Sequence, residues 1–378
     1  GHWLAANGWS AGSDYAGIGR KYLEERVARL IELDGTFSQY SVNYHRLMLD
    51  TLSTVECWRR WLSLPAFSDR YLSRARKAAQ WLFALTDPAS GDAPNLGAND
   101  GANLLPLTDA DYRDHRPSVQ LALALFVGQR GYHAAGPHDD HLAWLGIAAP
   151  STPAQARGDQ QFDAGGLAVL SRRNSRVIFR YPRYRFRPGH VDFWHSGINV
   201  LRDGGSYSYN ADVSWRDYFT GVASHNTVEF DGREPMPALG RFLRGAWLNA
   251  DSVVWSKAET GDSSVEAAYT EWQGARHHRT VWLTRTGLFV KDRIGGFKRK
   301  AVLRWRLVPD EWMLTEDGAR SPDYEVQVSG DMTVDRIELT EGWESRYYLH
   351  KSPLPVLEVE ISQPGCLQTH VIARSAAG

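Results

Sequence analysis

Apolar positions recur at two different periods along this chain. In Lys21–Leu33, the residues Leu23, Val27, Leu30 and Ile31 stand at i, i+4, i+7 and i+8, the stripe of an amphipathic helix. Glu25 and Arg29 add an i, i+4 pair, and Asp34-Gly35 stops the run. A second helix is predicted from about Tyr40 to Leu62, with Tyr40, Tyr44, Leu47, Met48, Val55 and Trp58 inward. A third runs from a Ser68 cap to Leu85. After a loop rich in Gly, Asn and Asp (Pro94–Asp111), Pro117 opens a helix whose body, VQLALALFV, is apolar nearly all round and therefore buried. Residues 131–158 lose periodicity and read as a linker. Beyond them the period drops to two: RVIFRY, NTVEFDG, DSVVWS, RTVWLTRTGLFVKDRI, AVLRWRL, YEVQVSG and VLEVEIS are strand-like, with Thr286-Gly287 as a hairpin turn. Helices followed by many antiparallel strands predict an α+β, multidomain chain whose second part is a β-sandwich.

Composition narrows the partners. At 378 residues the chain suits two domains, and a net charge of −1 gives no basic field for a nucleic-acid backbone. The 15 tryptophans and 16 tyrosines supply flat faces suited to sugar rings, although such rings also fill β-sandwich cores. Two cysteines, Cys57 and Cys366, make no disulfide framework. No run of about 20 apolar residues would cross a membrane, and no signal peptide stands at the start.

The densest chemistry lies in RPGHVDFWHSGINVLRDGGSYSYN (Arg187–Asn210) and HNTVEFDG (His225–Gly232). On a strand, Asp192 and Trp194 look one way while Val191, Phe193 and His195 look the other. A second strand carrying His225 would bring an imidazole and a carboxylate to one sheet surface, as proton transfer or a metal ion needs. Hydrogen bonding within the sheet is the plain alternative. The adjacent pair His277-His278 faces opposite ways and is read as structural.

These segments, with DGTFSQYSVNYHRLMLDTL in the helical part, resemble the heparinase II/III-like polysaccharide lyases. The markers are the DG…S..NYH pattern of Asp34–His45, NVLRDGGSYSYN and SHNTVEFDG, and the resemblance spans Leu23 to about Arg374. It implies a partial (α/α) toroid over 1–130, a linker over 131–158 and a large antiparallel β-sandwich over 159–378. It also implies cleavage of a uronic-acid polysaccharide by β-elimination, where a base takes the C5 proton and an acid protonates the leaving oxygen. Alginate and exopolysaccharide lyases belong to this group, so a periplasmic or secreted location is expected.

By the resemblance, Tyr44 is the acid and in some members also the base, assisted by His190 or His225. Asn43, Arg46, Asn99, Asp100 and Trp194 are the substrate-binding candidates. In some members a His-x-Asp, an Asp in a Leu-x-Asp-x-Gly turn and the His of His-Asn-Thr hold a metal, with zinc suited to the ligands. Here these positions fall on His190 with Asp192, Asp203 and His225. The spacing after Asp192 is short, so His195 competes with His190 for the cleft position. No cofactor is otherwise required.

The family's carboxylate-neutralising Asn has no match before Gly35, Asn7 standing in the wrong context, and four helices are few for a toroid. A truncated, inactive fragment is therefore expected. Two alternatives remain open at this level. One is a non-catalytic carbohydrate-binding or exopolysaccharide-assembly protein; the other is a glycoside hydrolase, for which no convincing acidic pair stands out.

Overall fold

The computed structural model describes residues 10–155, 157–183, 188–240, 243–257 and 262–374. It divides into two compact units, 1–156 and 157–378. Asn7 lies outside the described residues.

In the first unit, α1 (Ser10–Leu30), α2 (Val42–Trp61), α3 (Asp69–Leu85) and α4 (Arg116–Ala122) precede a short α5 (Asp140–Trp144). The two serine caps start their helices: Ser41 Oγ accepts from Tyr44 N (3.1 Å), and Ser68 Oγ accepts from Tyr71 N (3.4 Å). Helix α1 packs on α3, and α2 packs on both α3 and α4. The apolar run after Pro117 is buried as expected. Its second half, Leu123–Val127, widens into a π turn that ends at a left-handed Gly128.

The expected inner face of α2 needs correction. Trp58 is exposed, while Asn43, His45, Arg46, Asp50, Ser53 and Glu56 are buried beside Leu49, Leu52 and Cys57. Counting apolar residues misplaces this face because several of its polar side chains find partners inside the unit. His45 Nε2 donates to Ala78 O (2.9 Å) and its ring stacks on Trp81, while Arg59 and Arg60 both grip Glu56. Tyr15, Ile18, Tyr22, Trp58 and Trp61 leave large apolar surface uncovered on α1 and α2.

The stretch expected as a linker is ordered against the first unit as far as residue 155. Gln120 binds the backbone of Gly131 and Tyr132, Arg130 pairs with Asp139 (2.7 Å), and Arg130 bridges to Pro153.

The second unit is sheet-rich. A five-stranded antiparallel sheet is formed by β1 (Gln160–Phe162), β2 (Leu167–Arg172), β3 (Ser175–Arg180), β4 (Val191–His195) and β5 (Ile198–Leu201), in that order. A helix the alternating pattern did not reveal, α6 (Val213–Thr220), follows. After β6 (Val228–Phe230) come β7 (Ser252–Lys257), β8 (Ser263–Thr270), β9 (Arg276–Leu283), β10 (Gly287–Gly295) and β11 (Ala301–Arg306). The last six are β12 (Met313–Thr315), β13 (Gly318–Arg320), β14 (Tyr324–Gly330), β15 (Arg336–Tyr347), β16 (His350–Ile361) and β17 (Gly365–Ala373). They make an eight-stranded sheet, β12-β13-β14-β17-β10-β9-β8-β7, and a four-stranded sheet, β15-β16-β11-β6.

All three sheets share one apolar core, to which Phe179 and Phe193, Val281 and Val290, and Trp305 and Val359 contribute. Alternation predicts this: Val191 and Phe193 of β4 enter the core, and Asp192 and Trp194 face away from it.

Candidate functional sites in the two units

In the first unit, the loop after Ala93 folds onto the N-terminus of α2. Val42 N donates to Leu96 O (3.0 Å), and the Ser41 hydroxyl donates to Ala98 O (2.5 Å). Gly97 is required here, because its φ is +78° and a Cβ would fall 2.2 Å from Tyr40 O. This approach brings Asn99 and Asp100 over the first turn of the helix.

A polar network results. The Tyr44 hydroxyl donates to Asp100 Oδ2 (3.1 Å), and Asn43 Nδ2 donates to Asp100 Oδ1 (3.3 Å). Arg46 Nη2 donates to Asn43 Oδ1 (3.0 Å), and its Nη1 donates to Tyr112 O (2.6 Å). The Tyr112 hydroxyl lies 2.7 Å from both Asn43 Oδ1 and Asn99 Oδ1, and the Arg46 guanidinium stacks on its ring. Thus Asn43, Tyr44, Arg46, Asn99 and Asp100, all candidates from the sequence, meet at one place. Tyr112 joins them unforeseen.

Their accessibility differs. Tyr44, Asn99 and Asp100 are half-buried, whereas Arg46 is 3% exposed and its guanidinium is spent on internal acceptors. Arg46 therefore acts from behind Asn43 rather than by touching a ligand. Deeper still, burial raises the Asp50 carboxyl to about 7 against the opposing Ser118 hydrogen bond and Arg46 charge. Burial also takes His45 down to about 3 and His115 well below the histidine range.

In the second unit, His190 precedes β4, Asp203 follows β5, and His225 stands just before β6. One ligand atom from each lies within 4.8 Å of those of the other two. Of the two histidines weighed from the sequence, His190 is the one that joins Asp203 and His225. His195 points elsewhere, its Nδ1 lying 2.9 Å from Ser175 Oγ. Asn226 of the His-Asn-Thr motif ties the site together. Its backbone N–H donates to His190 Nδ1 (3.0 Å), its Nδ2 to Val191 O (2.8 Å), and its Oδ1 accepts from Arg306 N (2.6 Å).

The charge balance comes from Arg180 at the end of β3, which sequence reasoning passed over. Its Nη2 lies 2.7 Å from Asp203 Oδ2 and 3.2 Å from Asp192 Oδ2. His190 Nε2 lies 3.2 Å from Asp192 Oδ2, and His225 Nδ1 lies 3.2 Å from Asp203 Oδ2. Burial and the Arg180 charge hold His190 below the usual histidine range. Burial opposes ionisation of Asp192, yet His190 and Arg180 together hold it below the usual carboxylate range.

This arrangement bears on a metal. His190 Nδ1 accepts the Asn226 N–H, so the single proton of a neutral ring sits on Nε2, the atom facing the carboxylates. An ion there would require an imidazolate, and Arg180 already supplies the positive charge at Asp203. The donor set does not fit zinc in this tautomer.

Both histidines are buried. His190 is 0% exposed with both ring nitrogens engaged, and His225 is 2% exposed, at the edge of a pocket hardly larger than a water molecule that it lines with Pro188, Glu234 and Arg244. Trp194 corrects an expectation: it is 1% exposed, with Arg176 over its ring, and offers no free face to a sugar.

Comparisons with known proteins bear on the fold and the family. No curated protein matches by sequence. A heparinase III gene product superposes with a TM-score of 0.74 at 15% identity, covering 99% of this chain and 58% of that one. The heparan sulfate lyase HepC of Pedobacter heparinus gives 0.70 at 14% identity, with coverages of 97% and 57%. A chondroitin AC lyase of Streptomyces coelicolor gives 0.52 at 12% identity, with coverages of 92% and 55%. At these identities the likeness is one of fold, and the chain spans less than two thirds of the length of these proteins. The family model described as "Heparinase II/III-like, C-terminal" matches residues 154–365, more than half of the chain, and the chain belongs to that family.

Proposed function

We propose that this chain is part of a polysaccharide lyase that cleaves a uronic-acid-containing polymer by β-elimination. The observation that carries the reading is the half-buried Tyr44 hydroxyl, which donates to Asp100 at the centre of the Asn43–Arg46–Asn99–Tyr112 network. A phenol that gives its hydrogen bond to a carboxylate carries a proton and is oriented to release it. We assign Tyr44 as the acid that protonates the leaving glycosidic oxygen. Acting as base as well, the Tyr44 phenolate, formed when its resting proton is lost to solvent, takes the C5 proton and passes that same proton to the leaving oxygen, so one elimination returns it to its starting state.

Elimination also needs the substrate carboxylate neutralised. Asn99 Oδ1 is held by Tyr112 and Gly101 N, and no described residue engages its Nδ2. That N–H pair is the donor we assign to the carboxylate, in place of the asparagine that the family pattern sets on an earlier helix. In the second unit, His225 at its pocket is the assisting histidine, and His190 and Asp203 hold it in place without a metal.

The uncovered apolar side chains of α1 and α2 support a reading of the first unit as part of a larger (α/α) toroid. We extend the substrate class to alginate-like and exopolysaccharide uronates, and the location to the periplasm or cell exterior. Among the described residues no helix is long and apolar enough to cross a membrane.

Ultraviolet absorbance tests the reaction class, because elimination creates a conjugated C4–C5 double bond and hydrolysis does not. The intact protein incubated with a uronate polymer should generate the absorbance. Reducing ends without absorbance would mean hydrolysis, and tight binding without products would mean a carbohydrate-binding protein.

A further inference from the structure

Gly205 N donates to Asp203 Oδ1 (2.8 Å), but the SYSYN segment that follows has a different setting, and its first tyrosine is held in an unusual way. Tyr207 has φ +49°, a left-handed conformation that an aromatic residue rarely adopts. Its carbonyl accepts from Leu349 N (2.9 Å), and Leu349 in the β15–β16 turn is itself left-handed, with φ +63°. Two residues in costly backbone states thus hold each other. The result is to place the Tyr207 ring against Trp215 of α6, at 6.2 Å between centroids.

Trp343 of β15 closes the group, with its ring edge-on to Trp215 at 5.4 Å. Lys351 of β16 sits among all three. Its Nζ is 4.3 Å from the Trp215 centroid, 5.1 Å from that of Tyr207 and 5.4 Å from that of Trp343. All four side chains are half-buried. Ring faces favour a cation through their quadrupoles but carry no formal charge. Among the described residues Lys351 forms no ion pair and no hydrogen bond, so its N–H donors and its charge remain available to a ligand. A second tyrosine pair, Tyr209 with Tyr348 at 5.8 Å, stands on the same loop and hairpin.

We infer that Lys351 with Tyr207, Trp215 and Trp343 forms a binding subsite for an anionic sugar residue. The rings stack on the apolar face of the sugar and the ammonium meets its carboxylate. This explains why a lysine is enclosed by aromatic rings where a methionine would pack as well, and why two strained turns are kept to build the enclosure. The choice of saccharide rests on the function proposed above, whereas the subsite itself lies wholly within the second unit and needs no turnover.

Binding is measured by titration calorimetry on the intact protein carrying Tyr44→Phe, so that no cleavage intervenes. The probes are a glucuronic-acid hexasaccharide and its carboxyl-reduced, neutral counterpart. The acidic probe should bind more tightly than the neutral one. Lys351→Met should remove that preference, weakening the acidic probe on the order of tenfold and leaving the neutral one unchanged. Lys351→Arg should retain most of it, and Trp215→Phe, which keeps the packing, should weaken both probes. Unfolding midpoints of each variant show that the fold persists. The subsite is overturned if Lys351→Met keeps the preference for the acidic probe, or if neither probe binds the parent protein. An absence of absorbance from the wild-type enzyme, with binding behaving as described, would remove the lyase reading and leave the subsite standing.

Discussion

The two units treat buried polar groups in opposite ways. In the first, the network is layered: a sealed floor of Arg46 and Asp50 lies beneath half-buried Tyr44, Asn99 and Asp100. In the second, the His190–Asp192–Asp203–Arg180 cluster is closed on all sides, and only His225 lines a pocket. Both collect residues whose types suggest catalysis. The difference is that the first keeps a proton-bearing hydroxyl and an unspent amide within reach of a ligand, and the second spends its hydrogen bonds internally. Residue type identifies reactive chemistry, and reach decides where it can be used.

The comparison breaks most visibly at Arg180. Arg180→Met leaves two buried carboxylates without their cation, and should cost about 3–5 kcal/mol in urea unfolding of the second unit. A change below about 1 kcal/mol would mean that the cluster is not charge-balanced by this guanidinium.

In the first unit the sharpest probe is pH. Asp50 has its folded pKa raised from 3.8 to about 7, so its contribution to stability is greatest below about 3.8 and is lost as pH rises through about 7. His45 works the other way: with its folded pKa lowered from 6.5 to about 3, its contribution is present above 6.5 and is lost as pH falls toward 3. The two trends offset one another over the same interval. Asp50→Asn should therefore raise stability at pH 8 by about 2–4 kcal/mol and expose a monotonic loss on acidification. Unfolding midpoints across pH 4–8 on buffered samples check this, and an unchanged profile would refute it.

Tyr112→Phe removes one hydroxyl from the network and should cost about 0.5–1.5 kcal/mol. The sharper readout is KM: freeing Asn99 should raise it while the unfolding midpoint moves little. The smallest expected effect is zero. Element analysis should find no stoichiometric zinc, and a chelator should leave the unfolding midpoint unchanged. One zinc per chain, lost with chelator and accompanied by a fallen midpoint, would show that His190 presents Nε2 to an ion.

Much of this was legible in the sequence. The period-two runs mark strands in the structure from Arg176 through Ile361, because β-branched and aromatic alternation directly encodes a one-sided face. The meeting of His190, Asp203 and His225 was also legible, since motif positions fix strand ends. Three things were not. Helix α6 is hidden because its aromatic residues pack against the β15–β16 hairpin rather than making a stripe. The buried face of α2 is hidden because a hydrophobic count cannot foresee that Asn43, Arg46 and Glu56 find partners inside. Arg180 is hidden because it ends an apolar strand, where an arginine reads as a solvated edge; the surplus of carboxylates in HVD and LRDGG was the available signal.

On the proposed reading, chemistry resides in the first unit's network, and the second unit's sealed cluster serves the stability of its own unit. Turnover of a uronate polymer, followed by ultraviolet absorbance, should be measured beside the unfolding midpoint for Tyr44→Phe and for Arg180→Met in the intact protein. Tyr44→Phe should lose about 10²–10⁴-fold in turnover with its midpoint unchanged, while Arg180→Met should lose mainly stability. Full turnover in Tyr44→Phe, or a stable Arg180→Met protein that has lost turnover to the same extent, would contradict that reading.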